Sequence, residues 1–168
     1  MQPSLPETLI PRRAAHQALA LTGMLPAASM PRLGEAFEIG GPVQVALRFT
    51  PLDEHRVQLS GTAATTVKLH CQRCLEWFES ALEANVDVEF GPERADSETG
   101  REIVAGADEP MVLAAFVEDE LLLNAPMAPT HPVATCNPPG EKQVTESAGA
   151  VRRPFGELGH LLGRKEPD

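Results

Sequence analysis

Residues 71–78, Cys71-Gln72-Arg73-Cys74-Leu75-Glu76-Trp77-Phe78, join two segments in which apolar and polar residues alternate. The first segment covers residues 62–71 and is rich in β-branched residues, and the second covers residues 75–90. The apolar face of the second segment consists of Leu82, Ala84, Val86, Val88 and Phe90. Because alternation with a period of two is typical of half-buried strands, we expect an antiparallel hairpin that turns at the two cysteines.

Two more alternating segments precede this hairpin. Residues 43–49 and residues 55–61 are separated by the turn-forming sequence Pro51-Leu52-Asp53-Glu54. Gly61 indicates a bend or a bulge rather than the end of a strand. Three or four strands with short connections predict an antiparallel meander that leaves one face of the sheet in water.

One helix is clearly indicated after the strands, over residues 111–124. Its apolar side comprises Leu113, Phe116, Val117 and Leu121, with Glu120 and Asn124 on the same side. Asp108 is a candidate N-cap, and Pro126 ends the helix. We expect this helix to cover one face of the sheet, which predicts an α+β fold.

The segments before the first strand and after the main helix are expected to be less regular. A short helix over residues 12–20 is expected to follow Pro11 and to be ended by Gly23 and Pro26. Residues 24–34 are expected to be irregular because they contain two prolines and a glycine. Residues 1–136 therefore form the predicted single α+β domain. Residues 137–168 are predicted to be a linker and a loosely ordered tail, with a short amphipathic segment at residues 155–162.

Charge and composition restrict the class of protein. The 168 residues carry a net charge of −10, which argues against a broad electrostatic grip on nucleic acid. No stretch is apolar enough to span a membrane, and no export signal is visible. Three cysteines, an odd number, then indicate reduced thiols and a cytoplasmic protein.

The strongest chemical signal is a pair of short motifs. Cys71 and Cys74 form a C-x2-C pair, and His131 and Cys136 form an H-x4-C pair far downstream. Three thiolates and one imidazole suit a single structural Zn²⁺ that ties the end of the sheet to the segment after the helix. Ordinary buried thiols are the alternative, and it stays open.

Other chemistry is less well supported by the sequence. A thiol redox role for Cys71 and Cys74 would require the first cysteine at a helix N-terminus, but the following segment has a strand-like pattern. The run Glu118-Asp119-Glu120 spreads around a helix and does not converge on a substrate, so a solvated stripe or a partner-binding acidic patch is expected. No phosphate-binding loop, nucleophile elbow or His-Glu-x-x-His motif is present, which predicts a protein that is not an enzyme.

Three features together resemble the bacterial YceD family of large ribosomal RNA subunit accumulation proteins. The first is the Cys71-Gln72-Arg73-Cys74 turn with Phe78 behind it. The second is the Val117-Glu118-Asp119-Glu120-Leu121 helix leading through prolines to His131 and Cys136. The third is Pro11-Arg12-Arg13 followed by a helix and Gly23, and Pro154-Phe155 adds weaker support.

The resemblance implies a non-enzymatic factor for synthesis, processing or stability of the large-subunit (23S) rRNA, and hence for ribosome biogenesis. An acidic factor of this kind fits ribosome assembly proteins or the precursor large subunit as partners, with no membrane and no small-molecule substrate. A zinc-ribbon module that binds nucleic acid and a thiol redox protein are the alternative functions.

Overall fold

The computed structural model describes residues 5–92, 102–104, 106–132 and 136. The chain divides into two units, Met1–Pro138 and Pro139–Asp168, and all described residues belong to the first. The tail predicted for residues 137–168 lies outside the described residues. The predicted domain division at residue 136 therefore stays a prediction.

The described elements alternate between short helices and strands of very different length. The strands are β1 (Thr8–Leu9), β2 (Ala20–Leu25), β3 (Glu38–Ile39), β4 (Val43–Pro51), β5 (Val57–His70), β6 (Trp77–Phe90), β7 (Glu102–Ile103) and β8 (Met111–Val112). The helices are α1 (Pro11–His16), α2 (Pro31–Ala36) and α3 (Leu113–Leu123), with a 3₁₀ turn at Ala27–Ser29.

The main sheet is built around the predicted meander. Strands β4, β5 and β6 pair consecutively and antiparallel, and β2 adds to β4 at one edge. Strand β7 pairs with β6 in parallel at the other edge, and β3 pairs with β5. The α+β fold and its antiparallel meander are confirmed, with the short β6–β7 pair as the one parallel exception among the described strands.

The core lies on one face of this sheet, under α1 and α3. The five alternating residues of β6, Leu82, Ala84, Val86, Val88 and Phe90, are all buried, as their spacing predicts. Helix α3 buries Leu113, Phe116, Val117 and Leu121 against them, and the rings of Phe90 and Phe116 lie 6.2 Å apart. Burial of this apolar area is the main stabilising contribution at the sheet–helix interface.

The start of α3 differs from the prediction. Helix α3 begins at Leu113 because Met111 and Val112 form β8, which pairs antiparallel with β1. The N-cap is Val112, without a side-chain cap. The Asp108 carboxylate instead accepts hydrogen bonds from the Arg12 guanidinium, at 2.6 and 2.9 Å. The ion pair between Arg12 and Asp108, which are distant in sequence, thus replaces the helix cap that the sequence predicted.

The N-terminal helix is shorter than predicted, and the region after it is more regular. Helix α1 ends at His16, and residues 20–25 form the edge strand β2 rather than the end of a helix. Gly23 lies within β2, where a Cβ atom would approach Leu5 Cγ to 3.1 Å. Gly23 therefore makes room for Leu5 and does not end an element. Residues 31–34, which belong to the segment predicted to be irregular, lie in α2.

Gly61 allows β5 to run unbroken through 14 residues. Its φ of +146° is a conformation that side chains rarely adopt. A Cβ atom here would collide with the carbonyl oxygen of Ala46 and lie 2.9 Å from Leu47 Cα. Both obstacles are backbone atoms of the paired strand β4, so they cannot rotate away.

Substitution Gly61→Ala is expected to lower the free energy of unfolding by about 3 kcal/mol or more, because backbone strain and a steric clash add together. Gly34→Ala is the matched control, since no atom lies within 4 Å of a Cβ at this position in α2. The control should raise stability by up to about 1 kcal/mol through helix propensity. Chemical denaturation measures both, and equal effects would contradict the assigned geometry of Gly61.

Candidate metal centre

The turn between β5 and β6 presents Cys71 and Cys74. The N–H of Cys71 donates to the carbonyl of Glu76 at 2.9 Å, and the N–H of Leu75 donates to the carbonyl of Cys71 at 3.0 Å. Leu75 closes the turn with φ of +64°, one of the two positive values among described residues other than glycine. The two hydrogen bonds fix the backbone from which both thiols project.

A second segment lies against this turn and carries His131. The N–H of Gln72 donates to the carbonyl of Pro129 at 2.9 Å, and the N–H of His131 approaches Cys71 Sγ at 3.4 Å. Helix α3 ends at Leu123, and the chain then runs through Pro126 and Pro129 to His131 without regular structure. The covalent path from α3 thus returns to the sheet at the cysteine turn.

Four ligand atoms converge at this junction. The sulfur atoms of Cys71, Cys74 and Cys136 and a ring nitrogen of His131 all lie within 4.8 Å of one another. The sulfur atoms of Cys71 and Cys136 are 3.7 Å apart, and His131 Nδ1 is 3.1 Å from Cys74 Sγ. Tetrahedral zinc with Zn–S bonds of about 2.3 Å places two sulfur ligands about 3.8 Å apart. The cluster could therefore hold a metal ion of this size.

The pKa values of two of the thiols are shifted in opposite directions. Burial acts to raise the pKa of Cys71, but N–H groups of Cys74, His131 and Arg73 donate to its sulfur and together bring the pKa down to about 5. Burial, followed by the nearby sulfur atoms of Cys71 and Cys74, raises the pKa of Cys136 to about 11. The protein alone thus stabilises the thiolate of Cys71 and disfavours that of Cys136. A cation is the natural means of holding three together.

Two aromatic residues flank the cluster in different ways. The ring of Phe78 packs on the His131 imidazole with centroids 4.5 Å apart, which orients the nitrogen toward the cysteines. His70 lies on the opposite face of β5 and contacts Trp77, with ring centroids 4.9 Å apart. The positioning contact of Phe78 was not identifiable from spacing alone, because it depends on where His131 returns.

The acidic run on α3 does not form one exposed patch. Glu118 is only 3% exposed, and its carboxylate accepts from Arg32 at 2.9–3.0 Å and from the N–H of Leu33 at 2.9 Å. Asp119 is exposed and pairs with Arg32 at 2.7 Å, and Glu120 is partly buried. Partner binding through Glu118, Asp119 and Glu120 stays a prediction.

Glu118 has a structural contact that the sequence did not reveal. Its carboxylate links α3 to the start of α2, an element predicted to be irregular. The position of Glu118 in the sequence could have indicated this contact, because the residue lies between Val117 and Leu121 in the apolar sector of the helix. A charged residue at such a position is usually paired.

None of the described helices is both long and apolar enough to cross a membrane.

The comparisons with known proteins point to one family. The family model described as "Large ribosomal RNA subunit accumulation protein YceD" matches residues 59–162, which include most of β5 and all of β6, α3 and the cysteine turn. A Haemophilus influenzae protein named "Large ribosomal RNA subunit accumulation protein YceD" is 29% identical over 168 aligned residues, covering 94% of this chain and 95% of the relative. No solved structure matches this chain.

Glu118→Ala is expected to lower the free energy of unfolding by about 2 kcal/mol, because it leaves the buried N–H of Leu33 without its acceptor. Asp119→Ala is the matched control on the next residue, where an exposed ion pair is worth under about 1 kcal/mol. Urea denaturation of the two variants measures the difference. A Glu118→Ala variant as stable as the control would show that the carboxylate does not hold α2 to α3.

Proposed function

The chain belongs to the YceD family of large ribosomal RNA subunit accumulation proteins, and from this membership we propose that it promotes accumulation of large-subunit (23S) rRNA in ribosome biogenesis. The single observation that carries the proposal is the family match over residues 59–162, supported by a relative aligned along 94% of the chain. We place this activity in the cytoplasm, where rRNA is made and assembled in bacteria.

The proposed mode of action is non-enzymatic. The thiols of Cys71, Cys74 and Cys136 are buried against one another. The Glu118 carboxylate is engaged by α2. The side chains that would be the first candidates for catalysis are therefore used for packing and for the candidate metal centre.

Protein contacts fit the charge of the molecule better than direct binding of RNA. A net charge of −10 repels the phosphate backbone, whereas ribosome assembly proteins and ribosomal proteins that bind rRNA carry basic surfaces. The proposed partners are therefore assembly proteins or the protein component of the precursor large subunit. For the same reason a zinc-ribbon module that grips nucleic acid is not favoured.

The metal in this proposal is one structural Zn²⁺ held by Cys71, Cys74, His131 and Cys136. The convergence of three sulfur atoms and one imidazole nitrogen within 4.8 Å supports it, because soft thiolates and imidazole select zinc over Mg²⁺ or Ca²⁺. When bound, the ion neutralises the thiolates and joins the β5–β6 turn to the segment after α3. A closed set of four protein ligands is typical of structural sites rather than catalytic ones.

The purified full chain is expected to contain one zinc per molecule by elemental mass spectrometry. His131→Ala should abolish stoichiometric zinc, and His70→Ala is the matched control because His70 lies on the other face of β5. Removing zinc with a chelator should lower the melting temperature by about 10 °C or more, since the binding free energy stabilises the fold. A metal-free chain with an unchanged melting temperature would contradict the zinc assignment.

Depletion of this protein in its own cells is expected to lower the ratio of 23S to 16S rRNA and to reduce free large subunits in sucrose gradients. Expression of the parent chain should restore both, because the defect is proposed to follow from loss of this factor alone. An unchanged ratio and an unchanged gradient profile after depletion would overturn the proposed function.

A further inference from the structure

The tip of the β5–β6 hairpin carries large apolar side chains that are exposed to solvent. Trp77, the single tryptophan of the chain, is 65% exposed, and Leu75 is 57% exposed. Met127 is fully exposed two residues before Pro129, whose carbonyl is bonded to the same turn. Exposed aromatic and aliphatic groups that gather at one end of a molecule are typical of protein–protein contacts.

The backbone of Leu75 supports a binding role rather than a folding role. Its φ of +64° is unfavourable for a branched side chain and easy for glycine. A leucine in this unfavourable conformation would be expected to contribute to the core, but Leu75 is 57% exposed. Strain of this kind tends to occur where function requires a particular side chain.

The charges around the tip favour a basic protein segment over RNA. Glu76 and Glu79 are exposed on either side of Trp77, and Arg73 is the one basic side chain of residues 70–79 apart from histidine. Lys68, opposite Glu79 on β5, is already paired with Glu38 at 2.7 Å. The surface therefore presents an apolar centre with excess negative charge, which attracts lysine and arginine and repels phosphate.

We propose that Leu75 and Trp77, with Glu76 and Glu79 beside them, form the docking surface for an apolar segment of a large-subunit ribosomal protein flanked by Lys or Arg. This hairpin-tip surface deepens the proposed function and rests on it. Trp77 supplies the contact area, with one side of its ring steadied by His70. Leu75 supplies the second anchor, and the cysteine turn holds both in position through the bonds of Cys71 to Glu76 and Leu75.

Trp77 can report on its own binding. Incorporation of 5-fluorotryptophan into the full chain gives a single ¹⁹F resonance, since the chain has one tryptophan. The probes are individually purified large-subunit ribosomal proteins and, separately, purified 23S rRNA. At least one ribosomal protein should shift or broaden the resonance at micromolar concentration. A response to the rRNA alone, or to none of the probes, would overturn the proposal.

Substitutions then separate binding from stability. Leu75→Gly and Trp77→Ala should each weaken the affinity for the responding protein about tenfold or more, as expected for anchor residues. The affinity of the Trp77→Ala variant is measured by calorimetry, because it lacks the fluorine label. Leu75→Gly should leave the denaturation midpoint unchanged or raised, because glycine relieves the backbone strain. Met24→Ala, an exposed apolar residue on the edge strand β2, is the matched control and should bind like the parent.

A cell experiment distinguishes failure of the surface from failure of the proposed function. In depleted cells, the parent chain and Met24→Ala should restore the ratio of 23S to 16S rRNA, whereas Leu75→Gly and Trp77→Ala should not. If all four chains restore the ratio, the function stands and the docking surface is wrong. If the parent itself does not restore it, the proposed function fails, and the docking surface fails with it.

Discussion

The convergence of Cys71, Cys74, His131 and Cys136 is the constraint on which the tip of the β5–β6 hairpin depends. Strands β5 and β6 are 14 residues long each, so their turn lies well away from the residues that α3 covers. The segment that leaves α3 returns to this turn and is held there by the Gln72–Pro129 hydrogen bond and the sulfur–imidazole contacts. A metal ion would supply most of the free energy of this junction, because the local apolar contacts are limited to the cysteines and Phe78.

The same junction connects the candidate metal site to the proposed docking surface at the hairpin tip. Leu75 has its left-handed backbone conformation within the cysteine turn, and Trp77 begins the strand that leaves the turn. Removal of the proposed zinc ion is therefore expected to loosen the exposed apolar tip before the core beneath α3 unfolds.

The sequence was informative where structure follows from local periodicity. Alternation identified β4, β5 and β6 and the five apolar residues that β6 buries between Leu82 and Phe90, but not the burial of the charged residue Glu89. As expected, Gly61 does not end β5, although the strand pairs with β4 without a bulge at this position. Ligand type and short spacing identified the four residues that the fold brings together. These features depend on neighbouring residues or on strong chemical preference, and both are visible in one sequence.

The missed features depend on contacts between residues far apart in the chain. Strand β2 was read as the end of a helix because Gly23 resembles a stop signal, whereas Leu5 packs over it. Asp108 resembles a helix cap, but Arg12 binds it. Glu118 resembles a surface charge, but Arg32 and Leu33 hold it inside. In each case a tertiary contact overrode a correct local rule.

The most direct test of the central claim is X-ray absorption spectroscopy at the zinc edge on the purified full chain. We expect three sulfur ligands at about 2.3 Å and one nitrogen ligand at about 2.0 Å, from Cys71, Cys74, Cys136 and His131. A spectrum dominated by oxygen ligands, or a sample without bound zinc, would show that these four residues pack together without a metal. The hairpin tip would then have to be held by its hydrogen bonds alone.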